Sequence, residues 1–158
     1  MTEAISATAD RQRHGLRPDY LSAVELNWIH ATSACIRMAC AQMTAAALEM
    51  LRDSVGCAAS LPTRSGWERK AAAHAEIFRL LAEIAGEPAA GNLGGGAGFI
   101  RELMHTVGPA ANGMITSSRR RLLENLRAGD VCAAEQEMEN HLRALHYMWR
   151  LTQASRAA

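Results

Sequence analysis

The chain has 158 residues, of which 49% are hydrophobic, and its 17 lysines and arginines nearly balance 16 aspartates and glutamates. This length suits one domain with a buried core, and the hydrophobic content excludes general disorder. A formal net charge of +1 gives no electrostatic support for direct nucleic acid binding.

The cysteines and the apolar runs indicate the compartment. The four cysteines have no C-x-x-C spacing, which favours buried thiols in a reducing cytosol over a zinc or disulfide framework. No apolar run approaches the roughly 18 residues of a membrane span, and the polar N-terminus lacks the apolar segment of a signal peptide. We therefore expect a soluble, cytoplasmic protein without a membrane partner.

The predicted elements are all helices. Residues 1–17 are expected to form a flexible N-terminal tail or linker remnant, and residues 18–155 a single domain. The first helix is predicted to open at Pro18-Asp19 and to end near residue 42. Thr44 is a typical N-cap for a second helix, which we expect Gly56 to stop.

The same signals continue to the C-terminus. A third helix is expected from about Ser65 to Ala85, where Gly86 ends it, followed by the glycine-rich connection "AAGNLGGGAG". Further helices are predicted over residues 99–107, 114–127 and 131–153, and we expect Gly129 to end the fifth helix and Asp130 to cap the last. No segment alternates with period two, so the fold class is all-α, an antiparallel bundle of about six helices.

Three apolar helix faces each contain one cationic or titratable residue. His74 lies on the inner stripe of the third helix, Arg119 on that of the fifth and His141 on that of the last. Singly, each has an ordinary explanation, since a core histidine can be hydrogen-bonded and an arginine can extend to the helix edge. Thr32 lies on the inner stripe of the first helix, where it either lines a pocket or bonds its own helix.

Together these residues predict an internal anion pocket. A buried arginine keeps its charge and needs an anionic partner, and no aspartate or glutamate lies on the same stripes. A bound carboxylate would satisfy Arg119 by a bidentate contact, and His74 and His141 could form hydrogen bonds with the same ligand.

Other motifs favour ordinary readings. "GNLGGGAG" lacks the G-K-[ST] of a phosphate loop and reads as an inter-helix loop. Glu102 and His105 form one E-x-x-H motif, whereas a di-iron bundle needs two such motifs and two further inward glutamates. We therefore expect both residues to lie on a solvent-exposed edge of their helix. In the run Arg119–Arg121 only the first residue falls on the apolar stripe. No Ser-His-Asp or Cys-His set is present, so we expect no enzymatic activity.

Three stretches carry a family resemblance: "IRMACAQMTAAALEMLR", "AHAEIFRLLAEIAGEP" and "SRRRLLENLRAGDVCAAEQEMENHLRAL". They resemble the effector-binding C-terminal (FCD) domain of FadR-type transcriptional regulators in the GntR superfamily, over about residues 20–152. The resemblance implies an all-α antiparallel bundle that encloses a ligand pocket and forms a homodimer. It makes residues 18–155 a ligand-binding and dimerisation domain.

The resemblance also implies ligand residues. Many members hold a divalent metal through an aspartate and three histidines. His74 occupies the aspartate position, Phe78 and Arg119 occupy two histidine positions, and His141 keeps the last. Only one of four ligands remains, so no metal cofactor is expected, with His74 and His141 as the weak alternative. Arg119 would instead supply the positive charge and bind a small anionic effector, a small organic acid or an acyl metabolite.

Such regulators carry a winged helix-turn-helix before this domain, and we expect DNA binding only through such a domain, which this sequence does not contain. The chain would then be an isolated domain of a longer regulator or a natural stand-alone version. Two rival readings are a metal-dependent helical-bundle sensor or enzyme, and a degenerate stand-alone dimerisation module.

Overall fold

The computed structural model describes residues 22–87 and 96–158, and every regular element in this part of the chain is helical. This confirms the predicted all-α class and a bundle of six α-helices within the described residues. The elements are α1 (Ala23–Ala41), α2 (Ala45–Ser60), α3 (Trp67–Ala85), α4 (Gly96–Val107), a 3-10 turn (Pro109–Ala111), α5 (Asn112–Ala128) and α6 (Val131–Ala157).

Side-chain caps fix the start of three helices. Ser22 and Glu25 form a reciprocal capping box at the start of α1, whereas the predicted cap at Pro18-Asp19 lies outside the described residues. The predicted caps of α2 and α6 are confirmed. Thr44 accepts a hydrogen bond from a backbone N–H of the first turn of α2, and Asp130 does the same in α6.

The predicted stop of the second helix at Gly56 is wrong. Helix α2 continues to Ser60, and the φ angle of Gly56 is not positive. An interior glycine weakens a helix by about 1 kcal/mol but does not end it. The helix ends instead at Leu61, which is extended because the following Pro62 disfavours the helical conformation.

A buried lysine joins the end of α2 to the first turn of α3. Lys70 is only 3% exposed, and its Nζ donates to the carbonyl oxygens of Ala59 (3.2 Å) and Leu61 (2.7 Å) and to Oγ1 of Thr63 (3.1 Å). The cation thus satisfies carbonyl groups at a helix C-terminus, where positive charge is favourable. Its burial is fully compensated by these contacts.

The remaining boundaries shift by a few residues. Helix α3 begins at Trp67 and α5 at Asn112, α4 begins three residues before its predicted start, and α6 runs to Ala157. Most of the predicted glycine-rich connection lies outside the described residues. The predicted stops at Gly86 and Gly129 are confirmed, since both glycines have positive φ angles at the ends of their helices.

Helix α3 lies at the centre of the packing. It contacts α1, α2 and α4, while α6 contacts α1, α4 and α5. The indole of Trp67 is 7% exposed and donates to the carbonyl of Met104 at 3.0 Å, which fixes α3 against α4. Trp28 and Trp149 are partly buried against the same core. Residues on α3, α5 and α6 that point inward therefore meet in one core.

The expectation of buried thiols holds only in part. Cys35 is buried and Cys40 partly buried, but Cys57 and Cys132 are exposed. The two exposed cysteines lie on solvent-facing positions of α2 and of the first turn of α6. Within the described residues, no helix combines the length and the apolar character needed to cross a membrane.

We predict that Gly56→Ala stabilises the protein by about 0.5–1 kcal/mol, because it removes a flexible residue from a helix interior. An added Cβ would meet no atom within 4 Å. Urea unfolding measures the change. Gly129→Ala is the matched control, and its φ angle of 70° should make it destabilising by about 1 kcal/mol. A loss of stability in Gly56→Ala equal to that in Gly129→Ala would contradict a continuous α2.

Candidate functional site

All five residues predicted to form the site are buried, with exposures between 1% and 3%. They come from four helices: Thr32 on α1, His74 and Phe78 on α3, Arg119 on α5 and His141 on α6. Arg119 is also among the largest fully buried side chains of the described residues. The spacing of apolar positions therefore placed these side chains correctly inside the bundle.

Arg119 makes two contacts with α3. Its Nη2 donates to the carbonyl oxygen of His74 at 3.1 Å, and its Cζ lies 5.2 Å from the centroid of the Phe78 ring, a cation–π contact. Its Nε and Nη1 are buried and find no hydrogen-bond partner among the described residues. The guanidinium is therefore anchored on one side and unsatisfied on the other.

No carboxylate in the described part of the chain pairs with Arg119. Glu137 on α6 interacts favourably with it at a distance, but the Glu137 carboxylate accepts two hydrogen bonds from Arg121, at 2.8 and 2.9 Å. Burial lowers the pKa of Arg119 to about 9, with Glu137 opposing that shift, so the group stays charged at neutral pH. Arg120 and Arg121 are exposed, which confirms that only Arg119 of this run faces the core.

His74 faces Arg119 and the start of α5. Its Nε2 lies 3.3 Å from Oδ1 of Asn112, and its Nδ1 is buried without a partner among the described residues. Burial first, and then the charge of Arg119, lower the pKa of His74 to about 4, while the contact with Asn112 opposes this shift. The ring is therefore neutral at physiological pH.

His141 is the least satisfied ring of the cluster. Within the described part of the chain, neither ring nitrogen has a hydrogen-bond partner, and the same holds for the hydroxyl of Ser118 next to Arg119 in sequence. Burial lowers the pKa of His141 well below its usual value, and the nearby Arg119 and His74 lower it further. His141 therefore offers one donor and one acceptor from a neutral ring.

Thr32 bonds its own helix, which is one of the two roles expected for it, and does not line a pocket with a free donor. Its Oγ1 donates to the carbonyl of Trp28 at 2.9 Å within α1, so the hydroxyl proton is used by its own helix. The ring of Trp28 meets Phe78 edge-on, with centroids 5.9 Å apart. Helix α1 thus reaches the cluster through the Trp28 ring, and Thr32 contributes no donor to it.

Sequence reasoning missed two polar neighbours. Asn112 was assigned to a connection, yet it starts α5 and contacts His74. Ser118 lies on the apolar stripe of α5, three residues after Ile115 and four before Leu122, and is 1% exposed. Helical spacing could therefore have placed Ser118 on the inner face, whereas Asn112 carries no sequence signal, because its partner is 38 positions away.

The residues that the FadR-type resemblance places at metal positions do not suit a cation. Phe78 has no ligand atom, and Arg119 brings a positive charge against His74. No group of three or more histidine, cysteine, aspartate or glutamate residues in the described ranges is arranged to hold a metal ion. Glu102 and His105 are both exposed, as expected of a solvated helix edge.

The described cavities lie elsewhere. The lining residues of four cavities in this part of the chain include none of His74, Phe78, Arg119, His141 and Thr32. What the structure shows at the predicted site is a close-packed cluster of polar groups. The ligand pocket itself stays a prediction.

Comparison of the chain with protein-family models, with curated proteins and with solved structures gave no match. The resemblance to the FadR-type effector domain therefore stays a prediction from the quoted sequence stretches. The geometry of the buried cluster does not depend on it.

We predict that the unfolding free energy falls as the pH is lowered from about 6.5 to 5. His74 and His141 have lowered pKa values in the fold, so the unfolded chain binds more protons in this range. The stability that the two neutral rings contribute is fully present above the histidine pKa of the unfolded chain, near 6.5. It is lost as the pH falls towards the folded pKa of His74, about 4. For each proton that the chain takes up on unfolding, the unfolding free energy falls by about 1.4 kcal/mol per pH unit.

Urea unfolding at a series of pH values checks this dependence. The double variant His74→Gln, His141→Gln should show a shallower slope between pH 6.5 and 5. His30→Gln, which changes an exposed histidine on α1, should leave the slope unchanged. Equal slopes in the double variant and the parent protein would contradict the assignment.

Proposed function

We propose that this chain is the effector-sensing, dimerising domain of a FadR-type transcriptional regulator, and that it binds a small organic anion at Arg119. The regulator part of this proposal rests on the sequence resemblance, and one observation carries the anion-binding part. The guanidinium of Arg119 is buried and charged, two of its three nitrogens have no partner among the described residues, and no carboxylate there pairs with it. A bound carboxylate is the simplest group that satisfies it.

The surrounding groups support an organic acid. Arg119 can donate from Nε and Nη1, and the neutral rings of His74 and His141 can each donate or accept a hydrogen bond. The cluster has a single positive charge and several neutral polar atoms. That combination suits a monoanion with a neighbouring hydroxyl or carbonyl group better than a cation or an apolar ligand.

Sensing would follow from the position of the cluster. His74, Arg119 and His141 lie on three different helices, so a ligand that bonds all three would favour one arrangement of α3, α5 and α6. In a homodimer this preference would alter the relative placement of two DNA-binding domains. We propose no DNA contact for any residue of this chain. Sedimentation velocity tests the dimer.

A structural role for Arg119 is the alternative that its own contacts favour. The bond to the His74 carbonyl and the packing on Phe78 both tie α5 to α3. If Arg119 only holds α5 against α3, loss of its guanidinium should destabilise the protein. An anion site predicts the reverse for the anion-free protein, because a buried charge with unsatisfied donors costs free energy.

We expect Arg119→Met to raise the unfolding free energy in an anion-free buffer by about 1–3 kcal/mol, because methionine fills similar space without a charge. It should also abolish stabilisation by organic acids. In the parent protein an effector at about 100 times its Kd adds about 2.7 kcal/mol. A thermal-shift series over carboxylates, sugar acids and acyl-CoAs measures both effects, with the exposed Arg120→Met as control.

Two results would count against the proposal. If Arg119→Met is less stable and no organic acid stabilises the parent protein, the role of Arg119 is purely structural. Ligand stabilisation that persists in Arg119→Met at full strength would place the ligand elsewhere. Stabilisation in the parent protein and in Arg120→Met, but not in Arg119→Met, is the supporting outcome.

A further inference from the structure

A second positively charged feature lies at the surface between α3 and α4. A cavity of about 570 Å³ is formed where the loop before α3, the first turn of α3 and the outer face of α4 meet. Its charged and titratable lining residues are Arg64, Glu68, Arg69, Arg101, Glu102 and His105. None of the five buried site residues belongs to this cavity, so it is separate from the internal cluster.

Three arginines face this cavity without a protein partner. Arg64, Arg69 and Arg101 are exposed, and within the described ranges none forms a hydrogen bond or an ion pair. Glu68 and Glu102 lie next to two of them in sequence but do not approach within the 4 Å of an ion pair.

Several other surface arginines of the described ranges have carboxylate partners. Arg37 pairs with Glu135 at 2.9 Å, Arg121 pairs with Glu137 at 2.8 Å, and Arg143 pairs with Glu139 at 2.8 Å.

Arg120 and Arg127 have no partner in the described ranges, but Arg52, the third arginine of the cavity that they line, pairs with Glu49 at 3.5 Å. In the cavity between α3 and α4, all three lining arginines lack a partner among the described residues, which leaves several guanidinium donors for an anion.

A hydrogen bond joins the two helices that line the cavity. Trp67 is one of the lining residues, and its indole donates to the Met104 carbonyl, which ties the first turn of α3 to α4. The N-cap of α3 is Gly66, which provides no side-chain cap, so the positive end of the helix dipole adds to the arginine charge. This contribution is secondary to that of the guanidinium groups.

We propose that this cavity binds the phosphate group of a phosphorylated small molecule. Planar guanidinium groups bond phosphate oxygens in pairs, and three arginines against two glutamates leave a net positive lining for a dianion. The volume exceeds that of phosphate alone and leaves room for a small organic part. A cavity on a chain of net charge +1 suits a small ligand better than a nucleic acid backbone.

The test is a titration followed by the backbone amide NMR signals of Gly66, Trp67 and Arg101. Inorganic phosphate and glycerol 3-phosphate should both give saturable shifts, with tighter binding for the ester. Acetate at the same ionic strength should not. Arg69→Gln and Arg101→Gln should each weaken phosphate binding by about tenfold, as expected for the loss of a charged hydrogen bond.

Two controls separate this site from general charge effects and from the internal cluster. Arg52→Gln, an exposed arginine on α2 outside the cavity, should bind phosphate as the parent protein does. Arg119→Met should also retain phosphate binding, so failure of the organic-acid proposal would leave this one standing. Thermal unfolding of each variant confirms that it is folded.

Three outcomes would overturn the inference. They are equal shifts with acetate and phosphate, unchanged phosphate affinity in both arginine variants, and saturable binding of a ten-nucleotide single-stranded DNA at the same amides without saturable binding of glycerol 3-phosphate. The last result would assign the cavity to nucleic acid.

Discussion

The buried guanidinium of Arg119 constrains the whole interior of this bundle. A permanent positive charge in the core requires hydrogen-bond acceptors, and it keeps nearby titratable groups neutral. Both effects are present: the His74 carbonyl and the Phe78 ring take up one side of the group, and His74 and His141 have lowered pKa values. Nε and Nη1 of Arg119 remain without a partner among the described residues.

The chain buries a second cation, and the contrast between the two is informative. Lys70 places its ammonium against two carbonyl oxygens and a hydroxyl, which use all three of its donors. Arg119 is as deeply buried but leaves Nε and Nη1 unsatisfied. One cation therefore closes a helix end, whereas the other leaves two nitrogens without a partner among the described residues, and the proposed effector site rests on this difference.

Helix α3 connects the two candidate sites. Trp67, at its first turn, lines the surface cavity, and its ring lies 6.3 Å from that of His74 two turns later. The helix is held on both sides, by Lys70 against the end of α2 and by Trp67 against α4. A ligand at either site would thus act on the same rigid element, which gives the two sites a common structural support.

The sequence by itself determined the all-α class, two of the helix caps and the burial of the five site residues, because helical periodicity and capping are local properties. Tertiary contacts decided the rest. The bonding of Lys70 and the contact of His74 with Asn112 depend on residues outside the local pattern. A pattern of period 3.6 shows which side of a helix faces inward, but only the packed structure shows which polar atoms there find partners.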